Sequence, residues 1–196
     1  MTAIRRPQSR DLETFFVWED AQDEKHELVA GAPVPRRLRL MAGGAPEHAL
    51  ISANLVRVLG TRLRNGPCRP FTSDLRVLMA NGDLRYPDVT VLCRPLRRGE
   101  KAVDDPKVMF EVLSPSNNAM QMTRLLHSYQ NIASAEHIVL VNQEAPFIQL
   151  WSRAANGWMF AEIEGAEASL ALPAIDVELP FAEIYEGVAL APSAPE

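Results

Sequence analysis

Two carboxylates stand in this chain where carboxylates are costly. Asp88 opens the apolar run Val89-Thr90-Val91-Leu92, and Glu111 lies inside Val108-Met109-Phe110-Glu111-Val112-Leu113. A charge in a core strand costs on the order of several kcal/mol unless it is paired or holds a metal. Two such charges on successive strands point to one shared divalent-cation site. Asp88 also has a plainer reading, as a strand-opening turn residue after Pro87. Glu111, flanked by Phe110 and Val112, has no easy solvated role.

Other chemistry-bearing residues carry less. His26, His127 and His137 share no ligand spacing with one another or with the cysteines, which argues against a zinc site. His48 follows Pro46-Glu47 at a helix start, where it either caps and packs or serves a site. Arg36, Arg37 and Arg39 form either a solvated loop or an arm that contacts phosphates. Trp18, Trp151 and Trp158 read as core or interface aromatics.

The elements that must position these groups follow from pattern. Asp11 is a plausible N-cap for a short helix through Glu19. His26 to Val34 reads as a hairpin turned at Gly31. Residues 45–65 carry Leu50, Ile51, Leu55, Val58, Leu59 and Leu63 at helical spacing, and Gly66-Pro67 stops them. Strands are expected at 69–72, 75–79, 87–93 and 108–113, with Asn81-Gly82-Asp83 turning the second into the third. A second long helix covers 119–133, then strands at 137–141, 147–151, 158–163 and 168–172, and a brief helical turn at 180–185 closes the series. That order predicts an α/β domain, a mixed sheet flanked by helices with a β-rich C-terminal extension.

With 196 residues and 47% hydrophobic content, one domain over residues 11–190 is expected, with loose ends at 1–10 and 191–196. The net charge of −5 gives no overall basic footprint for nucleic acid. A local groove can still be basic, because Arg57, Arg62, Arg64, Arg69, Arg97 and Arg98 all lie in the N-terminal half. Cys68 and Cys93, with no signal peptide ahead of them, read as reduced thiols of a cytoplasmic protein. No apolar run reaches the roughly 18–20 residues that cross a membrane. Short apolar strands near the C-terminus suggest a homodimer.

Several pieces together resemble a known family. They are Phe16-Val17-Trp18-Glu19, His26-Glu27-Leu28-Val29-Ala30-Gly31, His48, Pro67 to Leu75, Tyr86-Pro87-Asp88-Val89, Glu111-Val112-Leu113-Ser114-Pro115-Ser116, Tyr129, and Pro180 to Gly187. In this order they resemble the bacterial putative restriction endonucleases of the PD-(D/E)xK superfamily. The resemblance implies a restriction-endonuclease-like core that hydrolyses DNA phosphodiester bonds. It implies Asp88 and Glu111 as ligands of Mg²⁺ or Mn²⁺, with the Val112 carbonyl as a third contact. Glu27 and Asp74 match acidic positions that would line the same cleft. The family also carries an Asp and a Lys four residues apart on the following helix. Those positions fall here on Gln121 and Leu125, so the resemblance implies impaired chemistry, or an inactive module that binds DNA or protein. Lys107 and Arg124 are the candidate substitutes. Leu125 is read as facing a water-filled cleft, where Leu125→Lys would partly recover activity.

Overall fold

The computed structural model describes residues 11–36, 45–114 and 119–190. The two expected loose ends, Arg37, Arg39 and the Pro115-Ser116 turn lie outside the described residues. Helix α1 spans Leu12–Glu19, and Asp11 caps it by accepting from the Glu13 N–H at 3.2 Å. Strands β1 (His26–Val29) and β2 (Ala32–Pro35) form the expected hairpin. Ala30 and Gly31 turn it with φ of 51° and 79°, the positive values that a tight two-residue hairpin turn uses. Helix α2 spans Pro46–Arg62 and buries Ile51, Leu55, Val58 and Leu59. Leu50, expected on the same face, sits at its rim, 36% exposed.

The strands that follow are β3 (Arg69–Thr72), β4 (Val77–Leu78), β5 (Leu84–Arg85), β6 (Val89–Leu92) and β7 (Val108–Leu113). Helix α3 (Ala119–Gln130) then leads to β8 (His137–Asn142), β9 (Phe147–Ala154) and β10 (Gly157–Glu164). Strands β11 (Ser169–Leu172) and β12 (Val177–Pro180) and the short helix α4 (Phe181–Ile184) complete the described chain.

Six strands make the main sheet, in the order β10-β9-β8-β7-β6-β3. Only β7 and β8 run parallel, and α3 is the crossover that a parallel pair requires. Side chains alternate across β7. Val108, Phe110 and Val112 pack with α2, while Met109 packs with Leu125 and Tyr129 of α3. The result is an α/β domain with a mixed sheet and a helix on each face. A smaller sheet, β2-β1-β5-β4, packs against Phe15, Phe16 and Trp18 of α1.

Three local expectations change. The Asn81-Gly82-Asp83 turn joins β4 to β5 in the small sheet instead of leading into β6. Leu84-Arg85 pairs back on Val77-Leu78, and Pro87, which has no N–H, separates that pairing from the main sheet. The C-terminal β-rich region divides: β9 and β10 widen the main sheet, while β11, β12 and α4 bury Leu170, Leu172, Leu179 and Phe181 against α2. Finally, Cys68 and Cys93 are not free thiols but a disulfide. The β3–β6 register pairs Arg69 with Leu92, so its next position sets the two cysteines opposite each other. The argument for a cytoplasmic location from reduced thiols therefore falls away. Among the described residues, no helix is long and apolar enough to cross a membrane.

Candidate active site

Strands β6 and β7 pair from Val91–Val108 to Val89–Phe110, and there the pairing ends while β7 continues beside β8 to Leu113. One register step further, Asp88 stands opposite Glu111 at the fork where the two strands part. Both are buried, at 3% and 4% exposed.

Asp88 is held from three directions. Its Oδ2 accepts from the Val112 backbone N–H at 2.9 Å and lies 3.1 Å from His48 Nε2, in the first turn of α2. Its Oδ1 accepts from Arg36 Nη2 at 2.9 Å, just past the end of β2. Glu111 is held by α3, where the Tyr129 hydroxyl donates to Oε1 at 2.5 Å. Burial, and then the neighbouring Asp88 charge, push the Glu111 carboxyl well above the usual carboxylate range. The Tyr129 bond and Arg36 pull it down, and Glu27 pushes it up.

Glu27 reaches this group from β1. It is buried and accepts from Arg85 Nη1 at 3.1 Å, while Arg85 Nη2 lies 3.4 Å from Asp83. Asp88, Glu111 and Glu27 thus share one buried neighbourhood. Asp74 does not join it: its side chain is largely exposed and paired with Lys25. It lines a separate acidic cleft with Glu19, Asp20, Arg76 and Tyr86, and the Arg36 charge is its one link to the carboxylates described above. Lys25, first, and then Arg36 hold the Asp74 carboxyl below its usual value.

The donor chemistry fits a hard divalent cation. Mg²⁺ commonly takes one or two protein carboxylates and fills its remaining positions with water and substrate oxygen. Asp88 and Glu111 supply such a pair, both buried at the fork. Among the described residues, no three His, Cys, Asp or Glu side chains form a ready ligand cluster, so an all-protein cage is not present. Val112 contributes its N–H to Asp88.

The helix positions that the resemblance singled out diverge. Gln121 is exposed, whereas Leu125 is buried at 5% exposure among Met109, Tyr129, Ile132 and Leu140, so it lines apolar core and not a water-filled cleft. Neither proposed substitute reaches the fork. Lys107 sits at the far end of the β6–β7 pair, where its N–H bonds to Val91, and its ammonium pairs with Glu136. Arg124 is exposed on α3. Among the described residues, the arginines at the carboxylates are instead Arg36 and Arg85. Arg85 was legible in principle, since an arginine inside the run Leu84 to Leu92 is as anomalous as Asp88.

A mixed sheet with a helix on each face and paired carboxylates at a strand fork defines a restriction-endonuclease-like α/β domain. The fold matches, with a TM-score of 0.70 at 16% identity, the crystal structure of "a putative nuclease belonging to DUF820" from Anabaena variabilis, over 89% of this chain and 96% of that one. The chain belongs to the Uma2 family, described as "Putative restriction endonuclease", whose model matches residues 12–182. Two Synechocystis proteins are similar along most of their length. The uncharacterized protein slr1290 is 29% identical over 180 residues, covering 90% of this chain and 92% of its own. The uncharacterized protein sll1609 is 25% identical over 157 residues, covering 78% and 86%.

Proposed function

We propose that this protein is a slow, divalent-metal-dependent endonuclease acting on DNA, with Asp88 and Glu111 as the ligands of Mg²⁺ or Mn²⁺. The observation that carries the reading is the burial of these two carboxylates opposite one another at the β6–β7 fork. When bound, the cation polarises a phosphodiester and lowers the pKa of an attacking water. His48 and the Val112 N–H hold Asp88 in place, Tyr129 holds Glu111, and Glu27 adds negative charge behind them. The Val112 carbonyl is the proposed third contact. Slowness is the expectation because Leu125 stands at the lysine position, which leaves stabilisation of developing phosphorane charge to a group outside α3.

For partners we propose DNA and a second copy of this chain. The support for the second is β10, an edge of the main sheet on which Met159 is 62% and Phe160 52% exposed. An antiparallel pairing of two such strands about a point between Phe160 and Ala161 brings Trp158 opposite Ile163 and Met159 opposite Glu162, with no like charges facing.

The test is Mn²⁺ binding by calorimetry beside nicking of supercoiled plasmid, for wild type and Asp88→Asn. We expect metal-dependent nicking in wild type, and loss of both nicking and Mn²⁺ binding in the variant. Mn²⁺ binding without nicking in either protein would favour the rival reading, a nuclease-fold module that binds DNA or protein without cutting; the buried Leu125 is the feature that speaks for it. Equal Mn²⁺ binding by wild type and Asp88→Asn would overturn the metal site itself.

A further inference from the structure

We propose that Arg36 is the residue that contacts the scissile phosphate here, in the role that the family resemblance gives to a helix lysine. This rests on the nuclease reading above and assigns its missing cation.

The case begins by elimination among the positive groups of the described residues near the carboxylates. Leu125 is apolar and in the core, Lys107 lies at the opposite end of the strand pair, and Arg124 is exposed on α3. Arg85 is buried at 2% exposure and spends both terminal nitrogens on Glu27 and Asp83. His48 offers one nitrogen to Asp88 and has no planar fork.

Arg36 differs from all of these. Its side chain is 20% exposed, so the guanidinium stands at the boundary between the buried carboxylates and solvent. One terminal nitrogen reaches Asp88 Oδ1 at 2.9 Å, with a longer 3.4 Å contact to the Tyr86 carbonyl. Its Nε, like that of the fully enclosed Arg85, is buried and has no hydrogen-bond partner among the described residues, but only Arg36 combines that donor with a side chain that reaches solvent. An unsatisfied buried N–H costs about 1–3 kcal/mol and is a standing invitation to an acceptor. Nε and a terminal nitrogen of one guanidinium form the flat two-donor edge that matches two oxygens of a phosphate.

These facts define an exchange. In the metal-free protein, Arg36 neutralises Asp88. A cation held by Asp88 and Glu111 would meet the Asp88 charge, which would free the Arg36 fork for a non-bridging phosphate oxygen. No bond is made or broken in this step. The arginine would pass from carboxylate to phosphodiester, where its positive charge would face the developing negative charge.

The experiment compares wild type, Arg36→Ala and Arg36→Lys in three assays: Mn²⁺ binding by calorimetry, affinity for a short DNA duplex by fluorescence anisotropy in Ca²⁺, and plasmid nicking in Mn²⁺. We expect Arg36→Ala to bind Mn²⁺ at least as tightly as wild type, because a competitor for Asp88 is gone. Its duplex affinity should fall about tenfold, and any nicking by about 10² to 10³. Arg36→Lys should recover part of the duplex affinity, as a single-donor cation would. Duplex affinity in Arg36→Ala within twofold of wild type overturns the assignment, as does a loss of Mn²⁺ binding with no recovery in Arg36→Lys, which marks a purely structural role. The nuclease reading fails separately, through Asp88→Asn that still binds Mn²⁺. The duplex-affinity arm reads Arg36 even if wild type does not nick.

Discussion

Val112 donates its backbone N–H to the Asp88 carboxylate at 2.9 Å, across 24 residues of sequence. This bond sits where β6 and β7 stop pairing, so a side chain there replaces the main-chain ladder. The arrangement fixes Asp88 relative to β7, and Glu111 is the residue just before Val112 on that strand. The Asp88 carboxylate is therefore fixed relative to the backbone that carries Glu111.

Tyr129 makes the corresponding restraint for Glu111. Tyr129→Phe removes the donor and leaves a buried carboxyl without it, which we expect to cost about 1–3 kcal/mol of stability. Urea unfolding with an unchanged denaturant slope checks this. Weaker Mn²⁺ binding should accompany the loss, because the ionised form of Glu111 is the one the hydroxyl favours. Unaltered stability and Mn²⁺ affinity would remove Tyr129 from the site.

Leu125→Lys is expected to harm the protein. An ammonium placed among Met109, Tyr129, Ile132 and Leu140 is desolvated without a pocket to receive it, at a cost of about 3 kcal/mol or more. A lowered melting temperature with no gain in nicking is the expected result. A gain in nicking would show that the helix face opens to the carboxylates after all.

The Cys68–Cys93 bond closes a loop of 25 residues, for which chain entropy alone gives about 3.5 kcal/mol. Oxidised protein should show no titratable thiol without denaturation and reduction. Cys68→Ser with Cys93→Ser should lower the melting temperature by several degrees. Two reactive thiols in the untreated protein would contradict the bond.

His137 makes stability depend on pH. Its Nε2 accepts from the Ala174 N–H at 3.3 Å, so the ring is neutral, and Nδ1 donates to Ser152 Oγ at 3.0 Å. Burial lowers its pKa from the usual 6.5. The folded state then binds the proton less readily than the unfolded state, so stability present above pH 6.5 is lost as pH falls toward the folded value. Each pH unit crossed in that window costs about 1.4 kcal/mol. Urea midpoints at pH 7.5 and 5.5 should separate more in wild type than in His137→Gln.

Much of this architecture is written in local pattern. The α2 and α3 periodicities, the Asp11 cap and the Ala30-Gly31 turn depend on neighbours within a few residues, and each lies where spacing puts it. Asp88 and Glu111 stood out because each is a charge in an apolar strand. What pattern did not reveal came from register. Cys68 meets Cys93, and Arg36 meets Asp88 across 52 residues, only once strands from distant parts of the chain are aligned. The β4–β5 hairpin was misassigned for the same reason, since a two-residue strand has no periodicity to read.

The two ends of the main sheet are unlike. At one end β3 is four residues long, carries Pro70 in its middle and is bound at its margin by Cys68. At the other, β10 offers eight residues of open backbone. A proline gives no N–H, so the first end is poor at accepting another strand, while the second is free to do so. If the pairing proposed above forms, growth of the sheet by addition of further copies would have a direction and a stop. Two chains joined through β10 in the proposed way would present a blocked β3 at both outer ends, and such an assembly would close as a pair instead of propagating as a fibre.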